Sequence, residues 1–227
     1  MTGNLIFGGI SAADYGISVD CSQSFATPQR RVETAQVLGR SGDIILYDPG
    51  VFDDVIISYP CFIASDFTSR FPDFMAHIHS KRGRQRLEDT AHPDRYRTAY
   101  FMQAVTPQTG VFNKSGMFTL QFSCAPWFLN SGMIPVDFTE DGSIQNPTLY
   151  QSNPTYYVEG VGTVTLGAGD GISFTTTVSP TTINVSNLQA DQPVTGRPYL
   201  KLPPGNCPVK LGEGITLVRI TPYWWTI

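Results

Sequence analysis

Two hydrophobic periodicities alternate along the chain, and the period of a β-strand is the more frequent. Residues 116–124 alternate strictly, which is typical of a half-buried strand. Their predicted core side is Phe118, Leu120, Phe122 and Cys124. A helical period occurs once, because Phe71, Phe74, Met75 and Ile78 recur at i, i+3, i+4 and i+7. The pattern predicts a mainly β protein with one helix lying on a sheet.

The bounds of this helix follow from its flanking residues. Thr68 or Ser69 is predicted to cap its start, and Pro72 is tolerated in the first turn, where amide donors lack partners. Gly83 can adopt the left-handed conformation that ends a helix. Four large buried side chains would contribute about 1.5–3 kcal/mol each, so packing decides this helix.

The stretch 30–59 has the most distinctive pattern of glycines and turn residues in the chain. Residues 39–43, Gly-Arg-Ser-Gly-Asp, predict a glycine-dependent bend that leads into a strand at residues 44–47. Residues 48–50, Asp-Pro-Gly, have the chemistry of a turn, and residues 55–59 are predicted to run back as a second strand. We therefore expect a hairpin with a bend at its entrance.

Composition changes near residues 129–135, which are rich in Asn, Ser, Gly and Pro and predict a domain boundary. No Lys or Arg occurs between Lys114 and Arg197. Short strands are predicted beyond the boundary at residues 156–159, 162–166, 171–177, 181–185, 199–202 and 215–220. Even spacing with turn residues between strands is typical of a β-sandwich. We therefore expect an N-terminal domain over residues 1–128 and a C-terminal sandwich over residues 129–227.

Overall charge narrows the class of function. Charged residues are only 15% of the 227, the formal net charge is −4 and the isoelectric point is near 5.3, which argues against a dedicated nucleic-acid binder. No signal peptide or membrane-spanning run is evident, so we expect synthesis in a cytoplasm and no membrane partner. A surface poor in charge suggests partial coverage by partners, although β proteins rich in Thr, Ser and Asn can have this balance without any partner.

Candidate chemistry is sparse, and we predict no catalytic, cofactor or metal site. The four cysteines are scattered without a C-x-x-C pair, which favours buried reduced thiols. His77 and His79 are two residues apart on the helix and cannot share a ligand face. The acidic pairs Asp53-Asp54 and Glu140-Asp141 are interpreted as solvated turn residues. No nucleophile-elbow, zincin or P-loop motif is present.

Two clusters leave alternatives open. The basic run at residues 81–86, with Arg95 and Arg97 downstream, could contact nucleic acid, but nearby acidic residues favour a solvated or intersubunit ion-paired surface. Near the C-terminus, Trp224 and Trp225 could stack on sugar rings. Consecutive residues of a strand face opposite ways, so a platform formed by every ring of residues 223–225 is not expected.

The order and spacing of these motifs resemble the distal tail (Dit) proteins of long-tailed phages or prophages with non-contractile tails. In the first half the resemblance is carried by Asp14-Tyr15-Gly16-Ile17, Arg31 with Glu33, residues 37–43, Gly50, Tyr59, Leu87-Glu88-Asp89, His92-Pro93-Asp94-Arg95-Tyr96, Gly116-Met117-Phe118 and Phe122-Ser123-Cys124-Ala125-Pro126. In the second half it is carried by Asn146-Pro147, Pro154, Gly160-Val161-Gly162 and Pro203-Pro204-Gly205-Asn206. The chain departs from the pattern at Ile183-Asn184, where many relatives have an aspartate, and it lacks room for inserted carbohydrate-binding modules.

The resemblance implies a structural protein rather than an enzyme. It implies an N-terminal β-barrel-like sheet with one helix that forms a homo-hexameric ring on the tail tube, and a C-terminal galectin-like sandwich that docks the tail-associated tip protein and receptor-binding or baseplate proteins. DNA would only pass through the ring lumen, and the protein would be located at the virion tail tip after assembly in the host cytoplasm.

By this resemblance, the residues expected to take part in assembly lie in the stretch 30–59. They are Arg31, Gly39, Arg40, Gly42, Asp43, Gly50 and Tyr59. The first alternative is a carbohydrate-binding module that recognises host cell-wall glycans through Trp224 and Trp225. The second is a glycan or peptidoglycan hydrolase.

Overall fold

The fold is taken from a computed structural model that describes residues 3–167 and 171–227, with the backbone alone at Val111. The chain divides into two compact units. Unit 1 comprises Met1–Phe128 together with Ile227, and unit 2 comprises Leu129–Thr226. The prediction of a mainly β protein with one α-helix is confirmed.

Unit 1 contains a curled half-barrel sheet. Its elements are β1 (Leu5–Phe7), β2 (Ile10–Ser11), β3 (Ile17–Val19), β4 (Glu33–Ala35), β5 (Ile44–Tyr47), β6 (Val55–Ile63), α1 (Phe67–Ser80), β7 (Gln85–Asp89), β8 (Arg95–Phe101), β9 (Gln108–Thr109) and β10 (Gly116–Cys124). Short 3-10 helices span Ala12–Tyr15, Ser22–Phe25 and Val111–Asn113. The main sheet order is β2-β1-β7-β8-β10-β6-β3, and β9 pairs with β10.

Strand β10 has the predicted bounds and the predicted faces. It pairs antiparallel with β6 along its whole length, from Gly116 opposite Ile63 to Cys124 opposite Val55. Its alternate residues Phe118, Leu120, Phe122 and Cys124 are all buried. Each of these side chains therefore packs into the core of unit 1.

Helix α1 covers this core with the predicted apolar stripe. Phe74, Met75 and Ile78 are buried, and the ring of Phe71 lies edge-on to that of Phe118, with centroids 5.0 Å apart. The predicted start at Thr68 or Ser69 is wrong, because the helix begins at Phe67. The buried Phe67 stacks on Phe71 at 5.0 Å and adds one apolar position to the stripe.

The predicted hairpin between residues 44–47 and 55–59 is wrong. Strand β5 pairs with β4, so Glu33 lies opposite Tyr47 and Ala35 opposite Ile44. Strand β6 instead pairs with β10 and β3. The physical reason is burial: alternate residues of β6 belong to the core, whereas β5 has no buried residue.

Unit 2 contains two five-stranded sheets in the part of the chain that the structure describes. Their orders are β12-β21-β14-β17-β18 and β13-β20-β15-β16-β19. The strands are β12 (Val136–Phe138), β13 (Gly142–Asn146), β14 (Thr155–Gly160), β15 (Gly162–Leu166), β16 (Ile172–Thr176), β17 (Thr181–Asn184), β18 (Gln189–Ala190), β19 (Val194–Gly196), β20 (Gly205–Leu211) and β21 (Ile215–Thr221). Strand β11 (Phe128–Asn130) begins at the unit boundary, and β22 (Trp225–Thr226) ends unit 2.

Both sheets of unit 2 contribute to one buried core. Tyr156 of β14 and Phe174 of β16 come from different sheets, and their ring centroids are 5.8 Å apart. The predicted strand at residues 199–202 is wrong, because Leu202 forms only an isolated bridge with Ser152 before a Pro-Pro pair. Strand β20 is absent from the predicted strands, and it contains Pro208, which has no amide to donate to a neighbouring strand.

Candidate assembly surface

Most of the stretch 30–59 belongs to a two-stranded antiparallel ribbon. We call this ribbon the arm and define it as residues 29–53. At its base, the amide of Asp53 donates to the carbonyl of Gln29 and that of Arg31 donates to the carbonyl of Val51, both at 2.9 Å. Pairing continues through β4 and β5 to a tip at residues 37–42. The glycine-rich segment is therefore the tip of the arm and not a bend at the entrance of a sheet.

No residue from 29 to 54 is buried. Six large apolar side chains of the arm are exposed instead: Val37 46%, Leu38 103%, Ile45 63%, Leu46 65%, Tyr47 59% and Val51 45%. A two-stranded ribbon without a packed hydrophobic face is only marginally stable in water. Contiguous exposed apolar surface is typical of protein or membrane interaction sites.

Ion pairs hold the base of the arm. Arg30 contacts both oxygens of Asp48 at 2.9 Å, and Arg31 donates from Nε to Asp53 at 2.9 Å. Asp48 also accepts from the amide of Gly50 at 3.0 Å. These groups are substantially exposed, and exposed ion pairs contribute only about 0–1 kcal/mol each, so they orient the arm more than they stabilise it.

The predicted glycines occupy conformations that favour glycine. The φ angles of Gly39, Gly42 and Gly50 are 82°, 84° and 68°. A Cβ atom at Gly39 or Gly42 would meet nothing within 4 Å, so the backbone conformation alone is the constraint at the tip. Arg40 and Asp43 are exposed beside these glycines.

Tyr59 does not belong to this surface. Its side chain is 1% exposed, and its hydroxyl donates to Oδ2 of Asp89 at 2.8 Å. Burial, and then the neighbouring Asp89 carboxylate, raise the pKa of Tyr59 far above its usual value. The structure thus brings Arg31, Gly50 and the tip residues together on the arm and leaves Tyr59 in the core of unit 1.

A second uncovered apolar surface lies on unit 1, and we call it the outer face. It consists of outward side chains on β6, β8 and β10, together with the side chain of Met102, which follows β8. Its large apolar residues are Ile56 60%, Phe62 42%, Tyr100 37%, Met102 53% and Met117 58% exposed. Met117 lies directly opposite Phe62, while Ser123 is paired with both Ile56 and Tyr100. Sequence reasoning identified one side of β10 as polar and missed this face, because Phe62 and Tyr100 come from other strands.

The C-terminal tryptophans do not form a platform. Trp224 is partly buried against the core of unit 2. Trp225 stacks on Tyr150 with ring centroids 4.3 Å apart, and its indole N–H donates to the carbonyl of Gln151 at 2.9 Å. One face of the Trp225 ring and its hydrogen-bond donor are therefore engaged within unit 2.

The basic cluster differs from the predicted solvated surface at one position. Arg97 is 3% exposed, its guanidinium lies 3.8 Å from the ring centre of Phe128, and its Nη2 donates to the carbonyl of Ala26 at 3.2 Å. Its Nε and Nη1 are buried without a hydrogen-bond partner. Burial lowers the pKa of Arg97 from its ordinary value.

Of the predicted turn acids, Asp53 and Asp54 form ion pairs and keep 46% and 38% of their side chains exposed. Asp53 binds Arg31, while Asp54 binds Arg84 and accepts from Ser123 at 3.1 Å. These pairs lie on strand ends of unit 1, which the sequence pattern alone did not indicate.

Titratable side chains elsewhere are dispersed. His77 contacts the hydroxyl of Tyr15, whereas the ring of His79 lies 5.2 Å from that of Phe101. All four cysteines are free and buried, and burial raises the pKa of Cys61 and Cys124 to about 12. Within residues 3–167 and 171–227, no group of three His, Cys, Asp or Glu side chains could hold a metal ion. No helix in the same residues is long and apolar enough to cross a membrane.

Comparisons with known proteins give matches by structure only. No family model matches the chain, and no curated protein matches it. Chains of the phage P2 baseplate in its activated conformation are similar: one with Ca has a TM-score of 0.55 at 10% identity, covering 97% of this chain and 98% of that chain. One with Sr has a TM-score of 0.55 at 9% identity, covering 96% and 97%.

The SPP1 Dit protein matches over the whole of both chains. Its TM-score is 0.74 at 13% identity, with 100% of each chain covered. That protein is described as a paradigm of the hub of the adsorption apparatus in phages that infect Gram-positive bacteria. The resemblance to distal tail proteins inferred from the sequence is therefore confirmed at the level of the fold, which this chain shares with SPP1 Dit from end to end.

Proposed function

We propose that this chain is the hub protein at the distal end of a phage tail, where it connects the tail tube to the tail-tip or baseplate proteins. The observation that carries the proposal is the end-to-end match of both units to a hub protein, without an uncovered segment in either chain. Neither half of the chain therefore calls for a function of its own.

In this proposal unit 1 forms a homo-hexameric ring, and the arm is the contact between neighbouring subunits. Each copy has one exposed apolar arm and one exposed apolar outer face. An arm that lies on the outer face of the next copy makes a heterologous interface, which closes when the rotation between subunits completes a ring. Both apolar surfaces are then removed from water, and the arm gains the packing that the monomer does not provide.

Unit 2 serves in this proposal as the docking domain for the tail-associated tip protein and for receptor-binding or baseplate proteins. The ring lumen passes DNA without binding it specifically, consistent with the net charge of −4. The site of action is the virion tail tip, after assembly in the host cytoplasm. No covalent reaction is part of the proposal.

Mass photometry of the purified chain, alone and with the tail tube protein of the same phage, tests the proposal. We expect a species of six copies and six-fold rings in negative-stain images. A monomer at every concentration, together with no ring in the presence of tube protein, would refute it.

A further inference from the structure

A cavity of about 390 Å³ lies at a gap in the main sheet of unit 1, beside the outer face. On one side of β10, β8 pairs with residues 122–124 and β9 pairs with residues 116 and 117. Among the described residues, no strand lies opposite residues 118–121 on this side. The chain between β8 and β9 lines the cavity with residues 103–106. The gap therefore leaves room beside β10 for a further segment of chain, as at an open sheet edge.

The lining of this cavity favours a peptide over other ligands. Five of its side chains are amides or hydroxyls, and they are Gln103, Thr106, Gln108, Thr119 and Gln121. None of the described lining residues is charged, so the phosphates of a nucleic acid would meet no cation there. Side-chain amides and hydroxyls both donate and accept hydrogen bonds, as main-chain peptide groups do. The volume is within the usual range of binding pockets, about 300–1,000 Å³, and suits a short uncharged peptide segment.

The tip of the arm is a segment of this kind. Residues 37–39, Val-Leu-Gly, are uncharged, and Leu38 is fully exposed at 103%. A Cβ atom at Gly39 or Gly42 would meet nothing within 4 Å, so the tip does not fill the cavity of its own chain. Because these glycines have no side chain, the groups of another chain can approach the backbone of the tip closely.

The arm and the cavity lie toward different ends of the ladder between β6 and β10. The arm ends at Asp53, close to the end where Val55 pairs with Cys124. The cavity includes Met117, which pairs with Phe62 near the other end. One copy can therefore insert its tip into one neighbour and receive a tip from the other, as a head-to-tail ring requires.

We propose that residues 37–39 of one copy insert into this cavity on the next copy, with Leu38 against Met117 and the backbone of the tip hydrogen-bonded by the glutamine side chains of the cavity. Met117 also belongs to the outer face, so this contact continues the one proposed for the arm. A second copy is the occupant because each chain carries one uncovered tip and one cavity that suits it, and a closed ring pairs all of them. This inference rests on the proposed hub function and names the site that receives the arm.

Disulfide trapping in rings, formed by the chain alone or with tube protein, tests this contact. Leu38→Cys combined with Thr106→Cys places one thiol on the tip and one at the cavity, where both positions are exposed, while the native cysteines are buried. We expect oxidation to join chains in a ladder of up to six copies on a non-reducing gel, with a 38–106 link in the digested protein by mass spectrometry. Leu38→Cys combined with Leu188→Cys is the matched control, because Leu188 is 64% exposed but lies in unit 2, and it should give no 38–188 link.

A charge placed in the cavity gives a second, independent measurement. Thr119→Lys puts an ammonium group where the peptide segment would lie, and should raise the midpoint concentration of assembly by roughly tenfold or more. Thr195→Lys is the matched control, because Thr195 is also an exposed threonine of a strand, and it should leave the midpoint unchanged. Equal melting temperatures of the two variants verify that the shift does not come from misfolding.

The outcomes separate this contact from the hub function. Six-copy rings that give no 38–106 link, a 38–106 link within a single chain only, or rings of Thr119→Lys that assemble like those of Thr195→Lys each overturn the contact and leave the hub function intact. Absence of rings from the parent chain, even with tube protein, overturns the hub function and this contact with it.

Discussion

Truncation of apolar side chains on the arm is the most direct test of the proposed ring contact. Ile45 and Leu46 are adjacent residues of β5, so their side chains point to opposite faces of the arm. They are 63% and 65% exposed and contribute nothing to the buried core of unit 1. Ile45→Ser and Leu46→Ser should each leave the monomer folded, and the side chain on the covered face should be required for the ring.

The expected magnitude follows from the exposed fraction. Full burial of a leucine contributes about 1.5–3 kcal/mol, so covering the exposed 65% of Leu46 contributes about 1–2 kcal/mol per interface. A closed ring of six repeats this loss at each interface, for a total of about 6–12 kcal/mol. The midpoint concentration of assembly varies as the fifth root of the hexamer constant. It should therefore rise roughly 7- to 50-fold, because about 1.4 kcal/mol corresponds to tenfold.

Mass photometry across a dilution series measures this midpoint, and circular dichroism melting verifies the fold. Leu188→Ser is the matched control, because Leu188 is 64% exposed but lies in unit 2. Only the variant on the covered face should shift the midpoint. If both arm variants assemble like the control, the arm is not the subunit contact.

Three further outcomes are expected. Gly42→Val places a β-branched residue at φ 84° and should weaken ring assembly by about 1–2 kcal/mol per subunit contact. Gly132→Val is the control, because Gly132 lies in equally open space without a positive φ, and it should not weaken assembly. Equal assembly of the two variants would show that the tip of the arm is not part of the interface. Arg97→Met should melt at or above the temperature of the parent chain, because it removes two buried guanidinium nitrogens without hydrogen-bond partners. A fall of several degrees would mean that the cation stabilises the core. At pH 8 the thiols of Cys61 and Cys124, with pKa values of about 12, should resist an aromatic disulfide reagent until denaturant is added, and reaction in the native protein would contradict their burial.

Hydrophobic periodicity predicted the elements whose pattern of buried and exposed residues can be seen within their own sequence. The bounds of β10 and β15 match the predicted segments, because strict alternation follows directly from one buried and one outward face. The apolar stripe of α1 is equally local. Its start was misplaced because Phe67 gains its place by stacking on Phe71, a contact that capping preferences do not contain.

Long-range pairing and the exposure of the arm could not be obtained in this way. Residues 44–47 were predicted as a strand of a hairpin with residues 55–59, and nothing in their own pattern of Ile, Ile, Leu and Tyr indicates that the strand has no buried residue. The burial of Arg97 depends on Phe128, which is distant in sequence. The Asn146-Pro147 motif was recognised without its structural role, because the Asn146 side chain donates to the carbonyl of Leu202, 56 residues away in sequence.

The lack of any buried residue from 29 to 54 separates two kinds of selection on this chain. Substitutions in the core of either unit are selected first for the folding of a single subunit, which does not depend on neighbouring subunits. In the proposed ring, substitutions on the arm would leave the fold of one subunit intact and would act only on the contact between copies. If the chain is the proposed phage hub, divergence at this segment would keep its subunits from mixing with those of a resident prophage in the same cell.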